Sequence, residues 1–267
     1  MDTVYGQSQA SVRMEWGPVG AAAVAPGADI AVVVDVLSFT TTLSVAIEAG
    51  ADVFPYRWRD GSAAAYARSR GAALAVGRLE ARQFDGQAQV TLSPHSVRAA
   101  TGLERLVLPS PNGSSISFQL AGGGSTVVGA CLRNRSAVAR RIAATADLRP
   151  DTVVAVVPAG ERWPDGSLRP AVEDLWGAGA VLAALEDLGA KNLSPEARMA
   201  AAAYRSVEAD LDTALYECTG GRELAGFGFA DDVAVAAELD SSSCVPMLDV
   251  DHFVDAARTT STPPDPA

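Results

Sequence analysis

The chain has 267 residues, of which 48% are hydrophobic and 20% are charged, and its formal net charge at pH 7 is -11. A hydrophobic fraction this high can form a large buried core, so the composition excludes a disordered protein. A pI near 4.6 excludes nucleic acid and anionic membrane surfaces as main partners, because both are bound by basic surfaces. No apolar run reaches the roughly 18 residues of a membrane span, and we expect a cytoplasmic protein.

Cysteine and histidine are scarce. The three cysteines, Cys131, Cys218 and Cys244, are odd in number and none forms a C-x-x-C pair. This usage disfavours a disulfide scaffold or a thiolate zinc site and fits a reducing compartment. With only His95 and His252 available, a histidine-rich metal site or a Ser-His-Asp triad is poorly supplied.

Apolar, strand-like segments alternate with alanine-rich, helical segments. The predicted strands are Ile30–Val36, Asp52–Tyr56, Ala72–Val76, Arg105–Leu108, Thr126–Ala130 and Thr152–Val157. The predicted helices are Thr40–Ala49, Ser62–Arg70, Gly113–Ala121, Ser136–Ala146, Ala171–Leu188 and Pro195–Val207. Several strands are continuously apolar, as in sheets buried on both faces. The alternation predicts a three-layer α/β/α fold with a largely parallel or mixed sheet, in one body or two lobes.

The two ends of the chain and one early segment complete the domain prediction. We predict a single α/β domain over residues 1–257 and a disordered tail over 258–267, which is rich in Thr, Ser and Pro. Residues 17–28 are small and apolar, and Pro26 and Gly27 lie near the end of this segment. We interpret the segment as a loop and not as a signal peptide.

The first polar cluster follows the apolar residues 30–34. Asp35 comes directly after them, and Ser38 and Thr40 open the next helix. A carboxylate at a strand end can bind Mg²⁺ or attack phosphorus, and hydroxyls at a helix N-terminus can hold a phosphate or sulfonate. A helix cap at Ser38 or Thr40 and a turn at Asp35 explain the same residues without any ligand.

Two further clusters follow the next predicted strands. Ser110, Asn112 and Gly113 form a turn that leads into a helix, which suits an anion site and equally an ordinary Asn-Gly turn. Arg133 could bind an anion through its guanidinium, whereas Asn134 could simply cap the following helix.

The last cluster follows the strand predicted at 152–157. A long polar loop containing Arg162 leads to Glu173 and Asp174 at the start of a helix. Two acids in the first turn can complement the helix dipole, or they can belong to a site. The four clusters share the chemistry of oxyanion and divalent-metal binding, and ligands bind beyond the carboxyl ends of strands in open α/β sheets.

Several common site motifs are missing. The chain has no P-loop, no dinucleotide-binding glycine motif after the first strand and no G-x-S-x-G elbow. Asp35 followed by Leu37 lacks the second acid expected of a haloacid-dehalogenase-type phosphatase, which forms an aspartyl phosphate. We keep that class as a third alternative.

The clusters together resemble the 2-phosphosulfolactate phosphatase family. The blocks that carry the resemblance run from about Asp35 to Pro246, and their order and spacing are more specific than any one block. They are the residues 35–42, 110–114, 131–134 with 137–139, 173–180, 220–224 and 231–233. The resemblance implies a mixed α/β fold, Mg²⁺ as cofactor, and hydrolysis of a phosphate monoester that carries a sulfonate and a carboxylate. In the family this chemistry suggests coenzyme M biosynthesis.

The chain departs from the family pattern at one anion-binding position. The family typically has Arg where this chain has Ser38, and a hydroxyl cannot replace a guanidinium that binds an anion bidentately. Arg78 is a candidate to restore the positive charge.

Our leading hypothesis is a Mg²⁺-dependent phosphatase acting on a small, multiply anionic acid, most simply 2-phosphosulfolactate. It assigns catalysis to Asp35 and Glu173 and the metal to Asp35 and Asp174. The predicted substrate-binding residues are Ser38, Thr40, Ser110, Asn112, Gly113, Asn134, Arg133 and Arg162. The alternative is a non-catalytic binder of a phosphorylated or sulfonated metabolite on the same scaffold, and a homodimer is left open.

Overall fold

Helices and strands alternate along the chain in the computed structural model, which describes residues 4–57, 61–82, 90–149 and 151–259. The strands are β1 (Val12–Met14), β2 (Ile30–Val34), β3 (Asp52–Tyr56), β4 (Ala73–Leu74), β5 (Arg105–Pro109), β6 (Thr126–Ala130), β7 (Val154–Pro158), β8 (Glu161–Arg162), β9 (Leu168–Arg169), β10 (Pro246–Asp249) and β11 (His252–Asp255). The α-helices are α1 (Gly17–Val24), α2 (Phe39–Glu48), α3 (Gly61–Arg70), α4 (Arg78–Ala81), α5 (Pro94–Ala99), α6 (Gly113–Ala121), α7 (Arg135–Leu148), α8 (Val172–Asp187), α9 (Pro195–Arg205), α10 (Leu211–Glu217), α11 (Thr219–Gly226), α12 (Ala230–Ala237) and α13 (Ala256–Thr259).

Within the described ranges, nine strands form one mixed sheet in the order β1-β7-β2-β6-β10-β11-β3-β5-β4, and β8 pairs with β9 separately. β1, β7, β2 and β6 are parallel to one another, and so are β3, β5 and β4. The antiparallel hairpin β10–β11 joins the two groups. The predicted α/β class with a largely parallel or mixed sheet is confirmed.

Sheet twist explains how the two parallel groups serve one site. The antiparallel pairings on both sides of the hairpin make the two groups run in opposite directions along the ladder. A twist of roughly 20–25° per strand accumulates to about 100–125° over the five steps from β2 to β5. A rotation of this size lets segments from the two groups meet, and residues after both β2 and β5 line one cleft.

Helices cover both faces of the sheet. Along β2, Ile30, Val32 and Val34 belong to one buried cluster with residues of α7, α8 and α9. Ala31 and Val33 point to the opposite face and pack with residues of α1, α2 and α6. This alternation makes the third layer and explains the uninterrupted apolar run of the strand. In the described ranges, no helix combines the length and the apolarity needed to cross a membrane.

One prediction about secondary structure was wrong, and one pair of strands was missed. Residues 17–24, interpreted as a loop, form helix α1, because Pro18 lies in the first turn, where its missing N–H costs nothing. The hairpin β10–β11 was not predicted at all, and its turn uses Val250 with φ 55° where glycine or asparagine would have been the signal. Of the predicted tail, residues 258 and 259 complete α13, and 260–267 lie outside the described residues.

Candidate active site

A cleft of about 400 Å³ opens where the segments after β2, β4, β5 and β7 meet. Its acidic lining residues are Asp35, Glu80, Glu161, Glu173 and Glu223. Two arginines, Arg78 and Arg169, also line it. Since carboxylates outnumber guanidinium groups five to two in this lining, the cleft favours a cation beside any anionic ligand.

Asp35 lies at the floor of the cleft, immediately after β2, and is buried. Its Oδ1 accepts the Phe39 N–H at 3.0 Å and its Oδ2 accepts the Gly113 N–H at 3.0 Å. Burial, followed by the charge of Glu161, raises the pKa of Asp35 to about 6, against the opposing effect of the two N–H donors. The two N–H donors therefore fix the orientation of a carboxyl group whose pKa is raised.

Gly113 is required by this arrangement. A Cβ added at Gly113 would collide with the Phe39 ring and would lie 2.9 Å from Asp35 Oδ2. Glycine lets the start of α6 approach Asp35 closely enough for its N–H to donate. The predicted role of Gly113 at the site thus has a geometric basis, although the contact is to Asp35 and not to a ligand.

Glu173, in the first turn of α8, brings a second buried carboxylate to the cleft. Its Oε2 has no hydrogen-bond partner among the described residues. Gly220 is packed so closely against it that a Cβ there would collide with Glu173 Oε1. Burial raises the pKa of Glu173, against the opposing effects of hydrogen bonding and of the charge of Arg169.

Asp174, predicted as a metal ligand, occupies a different environment. Its Oδ1 accepts the Val36 N–H at 2.7 Å and its Oδ2 accepts the Gly160 N–H at 2.9 Å, and it is absent from the cleft lining. Burial, then the charges of Asp35 and Glu173, raises the pKa of Asp174 well above its usual value. The prediction of Asp174 as a metal ligand is therefore corrected. Its side chain joins the segment after β2 to the segment after β7 and does not face the cleft.

The turn after β5 supplies the polar wall opposite α8. Ser110 and Asn112, which the sequence analysis predicts as substrate-binding residues, both line the cleft. The Asn112 N–H donates to Ser110 Oγ at 3.3 Å, and Asn112 Nδ2 donates to Glu161 Oε2 at 3.0 Å. These contacts hold the amide and the hydroxyl at the cleft surface.

Ser38 and Thr40, whose hydroxyls were both predicted to bind substrate, lie in different surroundings. Ser38 lines the cleft, donates to the Leu92 carbonyl at 3.1 Å and accepts a hydrogen bond from Arg78 Nη2 at 2.6 Å. Thr40 is buried, and its Oγ1 donates to the Asp35 carbonyl at 2.8 Å and accepts the Asp35 N–H at 2.9 Å. The prediction of Thr40 as a substrate-binding residue is therefore corrected. Its side chain fixes the backbone at the end of β2 and does not reach the cleft.

Arg133 and Asn134 also lie away from the cleft. Asn134 is fully buried, and its side chain bonds the Cys131 N–H and the carbonyls of Gly129 and Cys244. Arg133 is buried as well, and its guanidinium donates to Ser44, Glu48 and Glu238. Both predicted substrate-binding residues are therefore corrected, because the structure uses their polar groups to join β6 to its neighbours.

The strand pair β8–β9 decides which arginine reaches the cleft. Glu161 pairs with Arg169 in its register, and Arg162 pairs with Leu168. Side chains alternate between the two faces of a ladder, so Glu161 and Arg169 share the face that lines the cleft. Arg162 is exposed and donates to the Gly166 carbonyl at 3.2 Å. Arg162, predicted as a substrate-binding residue, therefore does not line the cleft, and Arg169 lines it instead.

Sequence reasoning also missed Glu161 as a lining residue and Asp232 as the partner of Arg78. Two-residue alternation across the β8–β9 hairpin was the signal for Glu161 and Arg169. Asp232 had no such signal, since it joins Arg78 across 154 residues.

The cleft suits Mg²⁺, judged by its donors. In the part of the chain that the structure describes, no three His, Cys, Asp or Glu side chains cluster as a complete metal cage. Mg²⁺ does not need one, because it is held by one or two carboxylates, water and substrate phosphate. Asp35 offers oxygens with one donor each, and Glu173 Oε2 is unpartnered, so both have lone pairs for a cation.

A cleft beyond the carboxyl ends of strands, lined by buried carboxylates, is the usual place of an active site in an enzyme of this α/β fold class. The family model described as 2-phosphosulpholactate phosphatase matches residues 22–251 of this chain. The chain therefore belongs to the 2-phosphosulfolactate phosphatase family, as the motif blocks predicted.

Individual relatives agree with the family match. A probable 2-phosphosulfolactate phosphatase from Deinococcus radiodurans is 32% identical over 224 residues, covering 82% of this chain and 88% of the relative. Proteins with the same name from a Cyanothece species and from Thermus thermophilus are 30% and 31% identical, each over 82% of this chain, and the matches cover 89% and 88% of these relatives, respectively. The similarity thus extends over most of both chains.

Proposed function

We propose that this protein is a Mg²⁺-dependent phosphatase that hydrolyses 2-phosphosulfolactate to sulfolactate and inorganic phosphate. Family membership and the names of the relatives support the reaction. The observation that carries the proposal is the convergence of Asp35 and Glu173, two buried carboxylates with raised pKa, on one cleft. Groups with perturbed pKa values in a cleft are typical of catalytic sites.

Asp35 and Glu173 would hold the cation. When bound, Mg²⁺ would neutralise charge on the phosphoryl oxygens and orient the ester for attack by water. The positive charge would also offset the cost of burying two carboxylates in one cleft. In this proposal Asp174 contributes only indirectly, by fixing the segments that carry Asp35 and Gly160.

Ser110 and Asn112 would position the phosphoryl group from the opposite wall. Both have polar atoms at the cleft surface, and Asn112 is held in place by Glu161. In the reaction, the oxygen of water forms the new bond to phosphorus, the ester P–O bond breaks and the leaving alkoxide takes up a proton. Positioning and charge stabilisation account for most of the catalysis in phosphoryl transfer.

The direct test is phosphate release from 2-phospho-3-sulfolactate by purified protein, with Mg²⁺ and with EDTA. We expect release that depends on Mg²⁺ and is abolished by chelation. Saturable binding of the ester without release at any Mg²⁺ concentration would overturn the proposal in favour of a non-catalytic binder. Release that is unchanged in EDTA would overturn the metal requirement.

A further inference from the structure

Arg78 is placed in the wall of the cleft with its guanidinium held along one edge. It is the first residue of α4, and its side chain is only 15% exposed. Nε donates to Asp232 Oδ2 at 2.6 Å and Nη2 donates to Ser38 Oγ at 2.6 Å. Arginine has five N–H donors, and these contacts use two of them. The remaining donors belong to the two terminal nitrogens, the end of the fork that can bind an anion bidentately.

Asp232, at the start of α12, fixes Arg78 from behind. It is buried, and its Oδ1 accepts hydrogen bonds from the Ser93 hydroxyl and, at 3.3 Å, from the His95 N–H. Asp232 therefore has partners on α5 as well as on α4, so its carboxylate cannot follow a movement of Arg78 alone. A guanidinium anchored in this way loses little rotamer entropy when it binds a ligand.

The two arginines of the cleft have different surroundings. Arg169 pairs with Glu161 across β8–β9, and its charge also acts on Glu173, so it belongs to the acidic wall. Arg78 contacts Ser38, Asp232 and the ring of Phe229, whose centroid is 5.9 Å from its guanidinium carbon. Arg78 is thus held by groups that the proposed function assigns neither to the metal nor to the phosphoryl group.

We propose that Arg78 binds the second anionic group of the substrate, a carboxylate or sulfonate on the organic part of the phosphate ester. Asp232 is a positioning residue that holds the Arg78 fork, and Ser38 completes its support. This inference rests on the proposed phosphatase function and names the residue that selects a multiply anionic ester over a simple one. The three residues come from separate segments, at 38, 78 and 232, so only the fold brings them together.

The experiment compares two substrates in one set of variants. Steady-state kinetics are measured with 2-phospho-3-sulfolactate and with an aryl phosphate, which lacks a second anion. We expect Arg78→Ala to lower kcat/KM for 2-phospho-3-sulfolactate by about 10- to 100-fold, the effect of losing a charge-assisted contact, with under about threefold change for the aryl phosphate. Arg78→Lys keeps the charge but not the fork, so an intermediate loss is expected.

Arg82→Ala is the matched control. Arg82 lies four residues further on, is exposed, donates to the Phe227 carbonyl at 2.7 Å and packs over the same Phe229 ring, but it does not line the cleft. We expect wild-type kinetics for this variant with both substrates. Equal losses on both substrates in Arg78→Ala, or no loss on either, would overturn the assignment.

Asp232→Asn tests the positioning role. We expect KM for 2-phospho-3-sulfolactate to rise about 5- to 10-fold with kcat nearly unchanged, because the fork is retained but no longer fixed. A residue that matters only for folding would lower the active fraction, and hence kcat, on both substrates without a selective change in KM. That pattern would overturn the role of Asp232.

Two single-anion esters identify which group Arg78 binds. 2-Phospholactate carries only the carboxylate, and 2-phosphonooxyethanesulfonate carries only the sulfonate. The ester whose kcat/KM falls in Arg78→Ala contains the group that contacts this side chain. Turnover of both esters that is independent of Arg78 would overturn the assignment.

A binding measurement separates failure of this inference from failure of the proposed function. Calorimetric titration with sulfolactate needs no turnover, and we expect Arg78→Ala to weaken its affinity at least about tenfold. If the wild type releases no phosphate from any ester, the phosphatase proposal is wrong, and this titration still decides the role of Arg78. Equal affinities in wild type and variant, or no binding by the wild type, would overturn it.

Discussion

Asp35 and Asp174 are two buried aspartates with the same local chemistry and different positions. Each accepts backbone N–H groups on both carboxylate oxygens, and burial raises the pKa of each. Asp35 lines the cleft, whereas Asp174 joins Val36 to Gly160 behind it. The comparison teaches that hydrogen-bond count and pKa do not by themselves identify a catalytic group. Access to the cleft separates the two residues.

The largest expected effect is on activity, and it concerns Asp35. Asp35→Asn should reduce phosphate release on the order of 10³-fold, because an amide cannot share in binding the cation or balance its charge. The amide is nearly isosteric and still accepts one of the two N–H groups, so the melting temperature should change by only a few degrees. Release assays and thermal unfolding on the same preparation check this. Activity within a few-fold of wild type would contradict the assignment of Asp35.

The next largest effect is on stability, and it concerns Asp174. Asp174→Ala should lower the free energy of unfolding by about 2 to 6 kcal/mol, since two buried N–H groups lose their acceptor. At roughly 2–4 °C per kcal/mol, the melting temperature should fall visibly.

Asp174→Asn serves as the control, because it keeps one acceptor and should lose less stability than Asp174→Ala. Urea unfolding of the three proteins measures the difference. Equal stability of wild type and Asp174→Ala would show that the two N–H groups find other partners.

A smaller effect concerns pH. The raised folded-state pKa of Asp35, about 6 against 3.8, means that its protonated form is favoured by folding. Its contribution to stability is complete below pH 4 and is lost as pH rises through 6, which amounts to roughly 3 kcal/mol. The metal-free protein should therefore melt at a lower temperature at pH 8 than at pH 5, and this fall should be reduced in Asp35→Asn. If the melting temperature fell by the same amount between pH 5 and pH 8 in both proteins, the raised pKa would not belong to Asp35.

The smallest expected effect tests whether Glu173 helps to hold the cation. Gly220→Ala should push the Glu173 carboxylate away from its present place, because the added Cβ would overlap Oε1. We expect the Mg²⁺ concentration for half-maximal activity to rise about tenfold, the usual size of an effect on a ligand's surroundings. Gly226→Ala, on the same helix and with open space for a Cβ, is the control and should behave as wild type. Identical Mg²⁺ dependence in the two variants would contradict a metal role for Glu173.

Local pattern was enough to predict much of the fold. The helix predicted at 113–121 and the strands predicted at 52–56 and 126–130 coincide with α6, β3 and β6. Their apolar runs, bounded by glycine or polar residues, have no competing local interpretation. The hairpin β10–β11 was missed because the turn carries valine at positive φ, a choice that only pairing with β6 and β3 explains.

The sequence by itself determined the α/β class, the family and the acids that follow the strands, because these depend on short-range periodicity and on motif order. The tertiary structure alone decided which of those residues face the cleft. It turned Arg133, Asn134 and Asp174 inward to satisfy buried backbone and charge, and it brought Arg78 to Ser38 and Asp232. The physical reason is that the direction of a side chain depends on partners far away in the chain, and burial of polar groups is tolerated only where such partners meet them.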